Sequence, residues 1–150
     1  MTQIPKAPLY LGLAGTLPFL WSAATVLLPS LSDWTVATLG ARFAGPYVGL
    51  FYGAVILSFM SGVLWGFATK LSEADAPKGY ALSVLPALWV FFTHGGGAFQ
   101  AGQLLILGFA AILLLDWHFW KAGVAPSWWM RLRLLITAVV ILCLTIGVTQ

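Results

Sequence analysis

The charges in this chain are few and grouped, and the gaps between them limit its fold more than any motif does. No Asp, Glu, Lys or Arg falls within residues 7–32, 43–69, 79–115 or 134–150. A helix needs roughly 20 apolar residues to cross the hydrocarbon core of a bilayer. The first, second and fourth gaps each hold about one crossing, the last borrowing a few residues before Arg133. The third, 37 residues long, holds two, parted at His94-Gly95-Gly96-Gly97. Charged residues are 7% of the chain, against about a quarter in soluble domains, too few to cover a soluble surface. The ten-residue alternation of a membrane β-barrel is missing. The expected fold is an all-α membrane protein, a single domain forming a compact bundle of five transmembrane helices at about 8–28, 46–69, 77–93, 99–116 and 128–148.

Helix punctuation agrees with those bounds. Pro8 and Pro46 suit first turns, and Pro29 closes the first span. Asp75 is placed to cap the third span ahead of Pro77, and Pro86 is expected to kink it. The uncharged run of the first span exceeds the 7–15 residues of a signal-peptide core, so its retention is expected. With five spans, Lys6, Lys70, Lys78, Lys121, Arg131 and Arg133 fall on one side and Arg42 on the other. The positive-inside rule then places the N-terminus in the cytoplasm and the C-terminus outside. These basic residues lie in short loops beside spans. They read as orientation signals and contacts for anionic lipid head groups rather than as a nucleic-acid surface.

Within the second span, Gly45, Gly49 and Gly53 recur every fourth residue, and Ala54, Ser58, Gly62 and Gly66 continue a neighbouring row. Residues four apart share a helical face, and small side chains let membrane helices approach closely. That face is expected to be a helix-packing seam. A polar path along Ser58 and Ser61, or self-association through the same surface, are the other readings. Gly12, Ala14, Gly15 and Ala23 offer a matching surface on the first span, which Pro18 is expected to bend.

Residues fit for chemistry are sparse. Asp116 ends the fourth span, and Arg131 and Arg133 open the fifth on the same side. An interfacial Asp116–Arg pair would lower the cost of each charge and set helix register. Arg131 and Arg133 beside Trp128 and Trp129 also resemble a site for lipid phosphate. His94 and His118 fall at opposite membrane faces, so they cannot share a metal or a haem. No metal or cofactor is expected. The single cysteine, Cys143, lies in apolar surroundings with no base beside it and reads as inert. Asp33, Arg42, His94, Gln100 and Gln103 form a modest polar group on the external side. The eight tryptophans cluster near span ends, as an interfacial belt does.

Several stretches, PLYLGLAGTLPF from Pro8, YGAVILSF from Tyr52 with Trp65-Gly66, SVLP from Ser83, GFA from Gly108 with Leu115-Asp116, and APSWWMRLR from Ala125, occur in an order that resembles the transmembrane-protein-69-like family. These are small multi-pass membrane proteins catalogued as a domain of unknown function. The resemblance implies a helical membrane fold and, from the family's occurrence, the inner (cytoplasmic) membrane. Members often carry histidine where this chain has Leu64, which favours a structural role here. The function expected is non-enzymatic: a packing, accessory or assembly component of a larger membrane complex, with a membrane-protein partner or a homo-oligomer. A small oligomeric transporter or channel is the alternative. A lipid-modifying enzyme, needing Asp116 and His118 as an acid–base pair, is the third reading.

Overall fold

Proline placement divides the N-terminal part of the chain. The computed structural model describes residues 3–149. Its first span is two helices, α1 (Lys6–Ala14) and α2 (Leu17–Leu27), rather than one. Pro18 has no N–H to give the Ala14 carbonyl. The chain instead turns at Gly15 and Thr16, where Thr16 Oγ1 donates to the Leu13 carbonyl at 2.7 Å. Pro29 forces Leu28 into extended backbone (φ −117°, ψ 96°) and then starts α3 (Pro29–Thr38) as its first helical residue. This helix lies between the first two expected spans, where charge spacing predicts no element. A 3-10 turn at Ala41–Phe43 leads into α4 (Gly45–Ala68).

The remaining helices are α5 (Ala76–Thr93), α6 (Ala98–Lys121) and α7 (Trp129–Thr149), and no strand occurs among the described residues. α6 runs five residues past the expected end at Asp116. The charge suggests a span boundary, yet this carboxylate is paired inside the protein and Phe119 beyond it is fully buried. Four helical segments are long and apolar enough to cross a membrane: Lys6–Leu27 (α1 with α2), Gly45–Ala68, Ala98–Lys121 and Trp129–Thr149. α5, expected as a fifth crossing, is not among them. Its 18 residues are long enough, but Pro77, Lys78, Gly79 and Tyr80 in its first turns and Pro86 further on make it less apolar than the other four.

α5 nevertheless fills a fifth antiparallel position. Phe51 meets His94, Ser61 meets Ser83 and Ala87, and Trp65 meets Tyr80, so α5 runs antiparallel to α4. Gly53 faces Leu105, Gly108 faces Leu57 and Phe67 faces Phe119, so α6 runs parallel to α4. α7 returns antiparallel to α6, with Arg133 at Asp116 and Val148 at Gly102. α2 runs antiparallel to α4, Phe19 at Gly53 and Ser22 at Gly49. Direction therefore alternates along the chain, and Lys6 and Thr149 lie at opposite ends of the bundle. Lys6, Lys70, Lys78, Lys121, Arg131 and Arg133 gather toward one end and Arg42 sits at the other. α4 is the hub, packing against α2, α5, α6 and α7. Phe19, Leu57, Leu64, Phe109, Ile112 and Val140 are fully buried around it.

Candidate functional site

The polar centre of the bundle joins α6 to α7. Asp116 is 0% exposed and Arg133 5%. Arg133 Nε donates to Asp116 Oδ2 at 2.7 Å, and Trp129 Nε1 donates to Asp116 Oδ1 at 2.8 Å. Trp129 and Arg133 lie four apart on α7 and so present one face. Both carboxylate oxygens are thereby engaged, which offsets the cost of an ionised group away from water. Arg133 Nη2 and Thr137 Oγ1, one turn further along that face, have no protein partner among the described residues. At this level α4 contributes Leu64, an apolar side chain.

The geometry alters three expectations. The pair lies more than a turn inside α6 and is enclosed by protein, not set at the membrane interface. Arg133 is buried, so it is not available to lipid phosphate; Arg131 is exposed. His118 follows Asp116 by two residues, a spacing that points away from it, and its ring packs edge-on against Phe119. The acid–base pairing needed by the lipid-enzyme reading is therefore not formed.

The small-residue rows on α4 divide in two. Gly49 and Gly53 are buried, and a Cβ at either would lie 2.6 Å from Ser22 Oγ or 2.5 Å from Leu105 Cδ2. Ala54 is buried and Ser58 half-buried. Gly45 acts through its backbone. With φ at +63° it favours glycine, its N–H donates to Thr25 Oγ1 at 3.0 Å, and its carbonyl accepts from Ser22 Oγ at 2.9 Å. Gly62 and Gly66 depart from the expectation: both are exposed, with nothing within 4 Å of an added Cβ. The bundle buries the first half of the seam, and the second half faces outward.

Ser61 closes α5 around its proline. Its hydroxyl donates to the Ser83 carbonyl and accepts from the Ala87 N–H at 3.1 Å. Those are the two groups an uninterrupted helix would pair with one another. Gly108 performs a related task, leaving room for the Trp89 indole, whose Nε1 donates to the Leu104 carbonyl at 2.8 Å. Trp21 Nε1 likewise donates to the Phe43 carbonyl at 2.9 Å. Three tryptophans assigned by sequence to an interfacial belt thus also tie helices and turns together.

His94 ends α5 and His118 lies in the last turn of α6, about 30 Å apart along α6. Cys143 is buried in α7. Asp75 stands at the N-cap of α5 without a side-chain cap bond; its carboxylate accepts from Ser72 Oγ at 2.8 Å instead. Among the described residues, no hydrogen bond or ion pair links Asp33, Arg42, His94, Gln100 and Gln103 to one another.

The comparisons with known proteins agree with a membrane bundle. Residues 4–149 match the family described as "Protein of unknown function (DUF3429)". The chain is 34% identical over 148 residues to transmembrane protein 69 of Xenopus tropicalis, covering 96% of this chain and 54% of that protein. It is 29% identical over 139 residues to transmembrane protein 69 of Mus musculus, covering 90% and 52%. The chain spans about half the length of these curated relatives. No solved structure matches. With a match running from Ile4 to Thr149 on a helical bundle suited to a bilayer, the chain belongs to the DUF3429 family of membrane proteins.

Proposed function

We propose that this is a non-enzymatic, multi-pass protein of the inner (cytoplasmic) membrane that docks on a partner as an accessory or assembly component of a larger complex. The supporting observation is the outward Gly62–Gly66 segment of α4. The helix that organises the bundle leaves its second G-x-x-x-G uncovered, and such a segment admits close approach of another membrane helix. The interior polar groups fit this reading, since Asp116, Ser61 and Trp89 are engaged in holding helices together. The six basic residues gathered at one end favour a cytoplasmic N-terminus, with Arg42 outside. A solute path along Ser58 and Ser61 has less support, because the Ser61 hydroxyl is taken up by the α5 backbone.

The test is native-gel migration of the gently solubilised protein, wild type against Gly62→Leu. The wild type is expected to migrate with a partner, and the variant to lose it while keeping its thermal stability. A lone wild-type monomer, or a variant that retains the partner, contradicts the proposal.

A further inference from the structure

At the end of the bundle away from the basic cluster, Leu20, Trp21, Val48, Phe51 and Val55 wall a groove of about 820 Å³ between α2 and α4, with Arg42 at its mouth. On α4 the lining runs from Val48 to Val55, roughly 10 Å of helix, about a third of the roughly 30 Å hydrocarbon core. The groove is therefore long enough for the upper part of one acyl chain.

Arg42 is exposed on the 3-10 turn, and its guanidinium carbon lies 4.9 Å from the Phe43 ring centroid. It forms no ion pair among the described residues, and Asp33, the other charged residue at this end, does not reach it. The Trp21 indole holds the Phe43 carbonyl, which ties the α2 wall to the turn that carries Arg42.

An unpaired guanidinium above an apolar slot is complementary to an amphiphile with an anionic head and an aliphatic tail. We propose that this groove binds one anionic glycerophospholipid, its phosphate on Arg42 and one acyl chain along α2 and α4. The planar donor fork of arginine suits phosphate oxygens. A second polar anchor is not required, because the tail supplies the remaining contact by burial. The groove ends at Val55, seven residues short of Gly62, so the site does not depend on the docking role of the Gly62–Gly66 segment.

Native mass spectrometry of the full chain, released from detergent with added phosphatidylglycerol, phosphatidylcholine or glycerol phosphate, tests this. Wild type is expected to retain one phosphatidylglycerol in preference to phosphatidylcholine, and glycerol phosphate is expected to give no adduct. Arg42→Gln is expected to lower the phosphatidylglycerol preference roughly fivefold, with Arg42→Lys recovering part of it. Ala24→Trp, which fills the groove, is expected to lose retention of both lipids, and thermal unfolding checks that it folds. Undiminished preference in Arg42→Gln overturns the proposal. So does unchanged retention in a folded Ala24→Trp. Equal binding of glycerol phosphate reassigns the site to free phosphate, and a protein that excludes lipid from the wild-type groove overturns it as well.

Discussion

Replacing Asp116 by Asn isolates the contribution of charge pairing at the centre of the bundle. Asparagine keeps the shape and an acceptor for Trp129 Nε1, so that hydrogen bond, 2.8 Å long, has a replacement. What is lost is the counter-charge to Arg133, which is 5% exposed and donates through Nε at 2.7 Å. Leaving one member of a buried pair unpaired costs about 3–5 kcal/mol. For a chain of this size that corresponds to a fall in Tm of roughly 6–20 °C. Adding Arg133→Met removes the stranded charge, and an apolar replacement of a buried pair is often close to neutral. The double variant is therefore expected to recover most of the loss, with a coupling energy of roughly 2 kcal/mol or more. Cys143 provides the assay. It is the sole cysteine and is 4% exposed in the core, so labelling by a thiol-reactive dye during heating reports unfolding. A shift under about 2 °C for Asp116→Asn, or a double variant as unstable as the sum of the singles, would show that the pair does not hold α6 to α7.

Two further predictions concern close approach and helix closure. Gly108→Ala places a Cβ 2.6 Å from Leu57 Cδ2 and 2.9 Å from Trp89 Cδ1, so a loss of about 1–3 kcal/mol is expected. Gly62→Ala meets nothing and is expected to leave thermal stability unchanged; equal losses at both positions contradict the packing described. Ser61→Ala removes both bonds to the α5 backbone and is expected to lower stability by roughly 1–3 kcal/mol. The loss is expected to shrink in a Pro86→Ala background, where α5 can close on itself; thermal unfolding of the four combinations measures it.

Much of the architecture is legible in the spacing of charges, because a long uncharged stretch admits few uses other than a membrane helix. The departures have local causes. Asp116 looks like the edge of a span because a single sequence does not reveal that Trp129 and Arg133 close over it. α3 escapes notice because Pro29 both ends one helix and starts the next. The small-residue rows on α4 are periodic throughout, yet periodicity gives a face and not its neighbour. Ser22 and Leu105 cover Gly49 and Gly53, whereas nothing among the described residues lies within 4 Å of a Cβ at Gly62. Ser61 reads equally well as pore lining or as internal clasp until Ser83 and Ala87 are placed beside it.

Helix direction alternates through the bundle, with Arg42 at one end and the basic cluster at the other. Cysteines placed singly at the exposed positions Ala41 and Ala122, in a Cys143→Ser background, test it with a membrane-impermeant thiol reagent on intact cells. Labelling of Ala41→Cys from outside, and of Ala122→Cys only after permeabilisation, is the expected result. Labelling of both positions from the same side contradicts the alternation.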